Sequence, residues 1–171
     1  MTPESEETAT WLRVGTSRVI TLFAEALARS HGWKRIFVVS PWISDFGSDA
    51  GISFDQLAKR VRDDNATVYV VSRPPVEEWH RSALDRLGAT GQASIALVRD
   101  LHTKLYCAET AQGAFALVGS ANLTQRSLAN REIGVLLRAS GAGRPIVRQL
   151  TQEASDIYRS TGRTLMYQRR F

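Results

Sequence analysis

The sequence contains few of the residues that build covalent or metal-bound frameworks. Its 171 residues include one cysteine, Cys107, and three histidines. A single cysteine cannot form an intrachain disulfide, and a zinc site of the usual cysteine and histidine kind needs more ligands than this set supplies. We therefore expect no metal and no other cofactor. Cys107 lies in an apolar stretch, so we expect a buried and inert thiol there.

Long apolar runs are also missing. No stretch approaches the roughly 18 consecutive apolar residues that a membrane-spanning helix needs. The first residues, Met-Thr-Pro-Glu-Ser-Glu-Glu, are polar and acidic, and they lack the basic start and apolar middle of a secretory signal. These absences predict a cytoplasmic protein with no membrane partner.

Basic residues are in excess over acidic ones. The chain has 22 lysines and arginines against 17 acidic residues, which gives a formal net charge of +5. Residues 138–171 contain seven arginines, and the acidic residues there are Glu153 and Asp156. Such a balance favours polyanionic partners, of which nucleic acid is the first candidate. A basic surface that is merely solvated is the competing interpretation.

The order of apolar patterns predicts one α/β domain. Residues 1–9 are expected to form a disordered tail, and residues 10–171 to form the domain. Apolar residues at helical spacing predict a first helix from about residue 11 to residue 30. Ser53-Phe54-Asp55-Gln56 has the form of a capping box and predicts a helix that runs to about residue 63. Three short β-rich runs alternate with this and further helices: 36–39, 68–71 and 95–98. This alternation is typical of a parallel sheet that is covered by helices on both faces.

The pattern changes in the second half of the chain. Three strand candidates, 102–109, 114–121 and 132–138, follow one another with short links, which favours antiparallel pairing. Pro145 suits the first turn of a final helix. The predicted fold class is therefore α/β, a single domain with a mixed, mostly parallel β-sheet flanked by helices on both faces.

Polar residues with catalytic potential recur along this second half. His102 and Lys104 are two apart in a predicted strand, so their side chains should leave the same face. Ser120 and Asn122 are spaced in the same way, and Glu132 opens the next apolar strand. A histidine can attack phosphorus, and a carboxylate on its other ring nitrogen fixes the tautomer. Lysine, asparagine and serine can hold phosphate oxygens, whose charge must be stabilised during transfer.

Each of these residues also has an ordinary structural interpretation. His102 alone would be a core or surface histidine, Lys104 a solvated charge and Glu132 a charge at a strand edge. Ser120 and Asn122 alone would be turn residues between strands. It is the joint spacing of all five residues that favours a catalytic site.

Other polar and aromatic residues give weaker signals. His31 and His80 have no lysine at the matching offset, so we predict that both lie on the surface. Trp42 and Trp79 could stack on nucleic-acid bases, but packing within the protein is the favoured interpretation of each.

The order His-x-Lys, then Gly-Ser-x-Asn, then a downstream glutamate resembles the histidine–lysine–aspartate (HKD) motif of the phospholipase D superfamily. The family pattern is His-x-Lys-x4-Asp, followed by Gly-Ser/Gly-x-Asn. The resemblance implies a phospholipase D-like fold with His102 as the nucleophile. It further implies that Lys104 and Asn122 grip the phosphate, that Ser120 supports them, and that Glu132 orients His102.

The match extends beyond the motif and also departs from it once. The segment 36–43, with its Ser-Pro-Trp-Ile end, resembles the strand before the motif in nucleases of the family. Glu109 stands where the family usually has aspartate. That aspartate is generally regarded as structural, so the substitution leaves the role of Glu109 open.

The resemblance implies a function and an assembly. Family members generally build one active site from two motifs, whereas this chain has one, so a homodimer is expected in which both copies of His102 meet. The predicted function is that of a metal-independent phosphodiesterase, an endonuclease that cleaves nucleic acid through a phosphohistidine, with DNA favoured and RNA as the alternative. Small members of this kind suggest restriction or phage defence. The alternatives are a phospholipase or phosphatidyltransferase, and a non-catalytic nucleic-acid-binding subunit of a larger complex, for example with a helicase.

Overall fold

A computed structural model describes residues 10–15, 18–47, 50–139 and 145–161. The predicted tail, residues 1–9, lies outside this described part. The strands are β1 (Thr10–Gly15), β2 (Trp33–Val39), β3 (Thr67–Ser72), β4 (Ala93–Leu97), β5 (Leu105–Thr110), β6 (Gly113–Gly119) and β7 (Gly134–Ala139). The helices are α1 (Val19–Arg29), α2 (Phe54–Asp63), α3 (Glu78–Gly88) and α4 (Pro145–Ser160), and a short 3-10 helix covers Gln125–Leu128.

The strands form one mixed sheet in the order β1-β7-β6-β5-β2-β3-β4. Strands β2, β3 and β4 pair in parallel, and the remaining neighbours pair antiparallel. The predicted single α/β domain with a mixed sheet is confirmed. Most of its described strands run in one direction, but parallel pairing is confined to β2, β3 and β4. The tight turn between β5 and β6 allows antiparallel pairing only.

The start of the first predicted helix is wrong. Residues Thr10–Gly15 form β1, which pairs antiparallel with β7 from Thr10 opposite Ala139 to Gly15 opposite Gly134. Helix α1 begins only at Val19. Without β1, the outer edge of β7 would leave a row of unpaired backbone groups, so tertiary pairing outweighs the helical spacing of the apolar residues.

Side chains on the two faces of the sheet pack against different helices. On β5, Tyr106 and Ala108 face a core shared with α1, α2 and α3, whereas Leu105 and Cys107 face α4. The predicted covering of both faces is therefore confirmed. Cys107 is fully buried, and burial raises the pKa of its thiol to about 12, as expected of an inert cysteine.

Two helix starts follow their predicted chemistry. The backbone N–H of Gln56 donates to Ser53 Oγ at 3.2 Å, and the Ser53 N–H donates to Gln56 Oε1 at 2.8 Å. This reciprocal capping box opens α2. Helix α4 begins at Pro145, whose missing N–H costs nothing in a first turn.

The topology brings the ends of several strands together at one end of the sheet, which we call the site end. Strands β2, β3, β4 and β6 finish there, and β5 and β7 begin there. Leu105, the first residue of β5, pairs with Val39 and Val118, and Gly119 pairs with Gly134. The polar segments that flank these residues therefore meet. Among the described helices, none is both long and apolar enough to cross a membrane.

Candidate active site

His102 and Lys104 lie just before a strand and not within one. Strand β5 starts at Leu105, so the predicted strand from residue 102 is wrong at its beginning. The ladder stops there because β2 has ended at Val39 and β6 ends at Gly119. The His102 side chain is exposed and that of Lys104 is half-buried. The Lys104 Nζ donates to the His102 carbonyl at 2.8 Å, which ties the two residues together.

Ser120 and Glu132 are joined by the close approach of β6 and β7. A Cβ added at Gly119 would lie 2.4 Å from the Ile133 carbonyl oxygen, so this approach requires glycine. The Ser120 N–H donates to the Ile133 carbonyl at 2.9 Å, and the Ile133 N–H donates back to Ser120 Oγ at 3.0 Å. The Ser120 hydroxyl then donates to the Glu132 carboxylate.

Asn122 is held by a buried hydrogen-bond network beneath the site. The Tyr106 hydroxyl donates to the Ala121 carbonyl at 2.7 Å and lies 3.2 Å from Ser40 Oγ. Ser40 Oγ accepts from the Leu123 N–H at 3.1 Å. Burial raises the pKa of Tyr106, so its hydroxyl stays a donor. These bonds fix the backbone on both sides of Asn122.

The side chain of Asn122 has unused hydrogen-bonding capacity. Its Oδ1 is buried and makes no hydrogen bond within the described part of the chain. A buried amide without a partner is costly unless something else satisfies it. The Oδ1 atom only accepts, so any group that satisfies it must be a donor, and Nδ2 is the atom of Asn122 that can donate to a phosphate oxygen.

Arg73 is a site residue that the sequence analysis missed. It follows β3, and its Nη2 lies 3.1 Å from Nε2 and 3.4 Å from Nδ1 of His102. Its Nε donates to the Leu101 carbonyl at 2.8 Å, which fixes the guanidinium against the loop. A guanidinium only donates, so the ring nitrogen that it bonds must carry a lone pair. The available signal was its position directly after a parallel strand, where α/β sheets place ligands.

The five predicted residues thus lie at the site end. His102 and Lys104 are bonded to each other, with Arg73 added, and Ser120 is bonded to Glu132, whereas the Oδ1 of Asn122 bonds neither pair. In the described part of the chain, Glu132 bonds Ser120 and makes no hydrogen bond to His102. The expected orientation of His102 by Glu132 therefore stays a prediction.

Glu109 lies at the other end of β5, away from the site. It is paired across the strands with Arg35, whose Nε and Nη2 donate to its two carboxylate oxygens at 2.6 and 2.9 Å. This bidentate ion pair links β5 to β2. The glutamate in the family's aspartate position thus contributes an ion pair to the sheet.

His80 is not the surface residue that the sequence predicted. Its side chain is fully buried, and its Nε2 lies 2.9 Å from the Ser72 hydroxyl. Burial lowers the pKa of His80 to about 4, so its ring is neutral at physiological pH. The rings of Trp42 and Trp79 both pack on it, at centroid distances of 5.5 and 5.6 Å. His31, in contrast, is exposed as predicted.

The assembled groups suit phosphoryl chemistry. Lys104 and Arg73 bring two cations to His102, and Asn122 adds an uncommitted amide. Such donors can hold an anionic phosphate and stabilise the charge that develops when a phosphorus bond is exchanged. No group of three or more histidine, cysteine or acidic side chains in the described ranges is arranged to hold a metal ion.

A known family model covers most of the chain. The family model described as "Cardiolipin synthase, PLD-like domain" matches residues 26–158. The chain belongs to the phospholipase D-like family. The predicted membership of the phospholipase D superfamily is thereby confirmed, and with it the relation to enzymes that act on phosphodiesters.

Solved structures agree on the phospholipase D-like fold. Nuc from Salmonella typhimurium, a phospholipase D family member, is 15% identical, with a TM-score of 0.69; the match covers 94% of this chain and 100% of Nuc. TrmBL2, an archaeal chromatin protein with a novel mode of DNA binding, is 10% identical, with a TM-score of 0.59 and coverages of 94% and 55%. Phosphatidylserine synthase from Haemophilus influenzae is 15% identical, with a TM-score of 0.59 and coverages of 96% and 41%. No curated protein sequence matches the chain significantly.

Proposed function

We propose that this phospholipase D-like chain is a nuclease that cleaves nucleic acid, DNA in the first instance, without a metal ion. The proposal is supported by the position of His102, Lys104 and Asn122 in loops that adjoin the same end of the sheet, in a member of this family. An exposed histidine beside two cations is a suitable nucleophile for a phosphate. Lys104 and Asn122 bind the non-bridging oxygens of that phosphate.

The reaction proceeds in two displacements. A His102 ring nitrogen attacks phosphorus, a P–N bond forms, and the P–O bond to the leaving strand breaks. A second histidine, protonated at the start, gives its proton to the leaving oxygen. The same histidine then takes a proton from water, whose oxygen attacks phosphorus and breaks the P–N bond. Both histidines return to their starting protonation states.

The second histidine is His102 of another copy of the chain. Two apolar side chains near the site support a twofold interface there. Val118, the penultimate residue of β6, is 39% exposed. Ile133, which follows Glu132 and is bonded to Ser120, is 61% exposed. Exposed apolar side chains that form a contiguous patch can mark an interaction surface. A symmetric contact through this patch would place the two copies of His102 in one site.

Two further observations favour nucleic acid as the substrate. The net charge is +5, which suits a polyanion. The fold is shared with TrmBL2, an archaeal chromatin protein that binds DNA. A role in restriction or phage defence, and a larger complex with a helicase, stay predictions of the sequence.

A phosphatidyltransferase is the second candidate. It is favoured by the description of the matching family model as cardiolipin synthase and by the fold shared with phosphatidylserine synthase. The same histidine chemistry would then transfer a phosphatidyl group to an alcohol in place of water.

The test is a cleavage assay in excess EDTA. Purified protein is incubated with labelled single- and double-stranded DNA and RNA, and in parallel with phosphatidylglycerol vesicles. We expect strand cleavage that the chelator leaves unchanged, because the nucleophile is a side chain. Cleavage that stops in EDTA and returns with added metal would contradict the histidine mechanism. Turnover of the lipid alone would establish the second candidate instead.

Arg73 is proposed as a further phosphate-binding residue of this site. We expect Arg73→Met to lower kcat/KM by about tenfold to a thousandfold, the range for removing one stabilising donor. Arg73→Lys should recover part of that loss, because it restores the charge but not the two-pronged guanidinium. Steady-state kinetics of the two variants measure this. Equal losses in both, with a lower melting temperature, would assign Arg73 a structural role only.

A further inference from the structure

A cleft beside the proposed phosphate site has no role in the chemistry described so far. Its volume is about 880 Å³, within the range of small-molecule sites, and Asn122 forms part of its wall. The other notable walls are the indoles of Trp42 and Trp79, whose centroids lie 6.2 Å apart at an angle of 51°. Trp79 is 45% exposed, an unusual state for the largest aromatic side chain.

The two indoles are held in place and connected to the nucleophile. The buried ring of His80 packs against both of them and is itself bonded to Ser72. The guanidinium of Arg73 lies over Trp42 at 5.6 Å from the ring centroid, and the same guanidinium bonds His102. Trp42 and Arg73 thus form a continuous line of contacts from the cleft to His102, and Asn122 lies in the wall of the cleft.

The chemistry of the walls selects the kind of ligand. Apart from the two indoles, the lining is polar and includes Ser82, Thr124 and Asn130. Such a lining does not suit an acyl chain, which needs apolar surroundings. The charged residues of the lining are Arg126 and two carboxylates, Asp45 and Glu77, so the cleft does not suit a second phosphate either. A flat, uncharged group with hydrogen-bonding edges fits both the indoles and the polar walls.

We propose that this cleft binds one unpaired base of a single-stranded nucleic acid, next to the phosphate that is cut. The base stacks on Trp79, and its edge bonds the polar side chains around it. In a duplex, each base face is covered by its neighbours, so a duplex cannot fill the cleft unless a base leaves the stack. The inference rests on the proposed nuclease function and adds a preference for single strands to it.

The test measures binding and cutting separately. Binding uses the full chain carrying His102→Ala, a fluorescein-labelled single strand, and fluorescence anisotropy. Trp79→Ala should weaken binding by about 5- to 100-fold, the range for one lost base–aromatic stack, and Trp79→Phe should restore most of it. Val76→Ala is the matched control, because Val76 is an exposed neighbour that does not line the cleft. It should leave binding unchanged.

Two additional readouts separate stacking from a general structural effect. The dependence of affinity on salt should be the same with and without Trp79, because no phosphate contact is lost. The protein that retains Trp79 should bind a strand with an abasic position at the cut site only weakly. Its affinity should equal that of the Trp79→Ala protein for the intact strand. Equal affinity for abasic and intact strands, or for single strand and duplex, would overturn the proposal. So would displacement of the strand by phosphocholine, a cationic headgroup that two indoles and carboxylates could also hold.

The experiments distinguish a failure of the cleft proposal from a failure of the nuclease proposal. Strand cleavage that does not depend on Trp79 would remove the cleft proposal and leave the nuclease proposal intact. Base-dependent binding without any cleavage would support the cleft and contradict the nuclease.

Discussion

Replacing His102 with alanine should abolish strand cleavage. We expect the rate to fall by about 10³- to 10⁶-fold, the range seen when a covalent nucleophile is removed. The proposed reaction uses this residue twice, as nucleophile in one subunit and as proton carrier in the other, so the substitution removes both functions. The structure should be unaffected, because the His102 side chain is exposed and takes no part in the core. The melting temperature should therefore stay within about 2 °C of the wild-type value.

His31→Ala is the matched control for this substitution. His31 is also exposed, and its Nδ1 lies 3.1 Å from a guanidinium nitrogen of Arg60, so it resembles His102 in setting but lies away from the site. It should keep full activity. A His102→Ala protein with more than a few per cent of wild-type activity would be incompatible with a histidine nucleophile.

The covalent intermediate offers a direct readout of the same residue. A strand with labelled phosphates, mixed with excess protein and quenched in alkaline denaturant, should leave label on the wild-type polypeptide, because a P–N bond survives alkali. Acid should release that label, and His102→Ala should retain none. Glu132→Gln should give an intermediate rate, since it loosens the site without removing the nucleophile. Label that stays on after acid treatment would indicate an ester to another side chain.

The sequence predicts this fold well where the pattern is local. The capping box at Ser53 and the helix start at Pro145 are confirmed because each depends on residues a few positions apart. The strand at Thr10–Gly15 was mistaken for a helix because its partner, β7, lies more than a hundred residues away in the chain. No local pattern records that pairing.

The site shows the same division between local and distant information. The motif spacing of His102, Lys104 and Asn122 can be recognised in the sequence alone. These residues lie in loops that the sheet brings to one end. Arg73 and the buried ring of His80 come from a different part of the chain, between β3 and β4, and carry no motif. Only the parallel order of β2, β3 and β4 places Arg73 beside His102 and the ring of His80 against Trp42. Pairwise contacts between distant segments are what one sequence cannot supply.

The second large effect is expected from disrupting one subunit of the proposed dimer. This expectation follows because each chain supplies only one motif histidine, His102. One chain supplies a single HKD-like motif, and the two-step reaction needs both a nucleophile and a proton carrier. A dimer with one wild-type subunit and one His102→Ala subunit keeps only one of these two groups. Its activity should therefore be near that of the doubly substituted dimer, at about 1% of wild type or less, since residues that act as a unit fail together.

This result can be measured on a purified heterodimer. The two chains are coexpressed with different affinity tags, and successive purification on both tags selects the mixed species. A heterodimer of wild type with Val76→Ala, tagged in the same way, is the control and should keep full activity, because Val76 is exposed on the loop before α3. Two independent sites would instead leave the His102→Ala heterodimer with about half of the wild-type activity, since each subunit would work alone.

The dimer prediction can also be tested by substitutions in the apolar patch near the site, which consists of Val118 and Ile133. Val118→Asp and Ile133→Asp each place a charge on surface that the interface would bury, so either should shift the protein from dimer to monomer in light scattering. If the two histidines share one site, activity should fall together with the dimer fraction and recover at high protein concentration. Full activity in a monomer would show that one copy of His102 suffices, and the proton carrier would then have to come from elsewhere in the same chain.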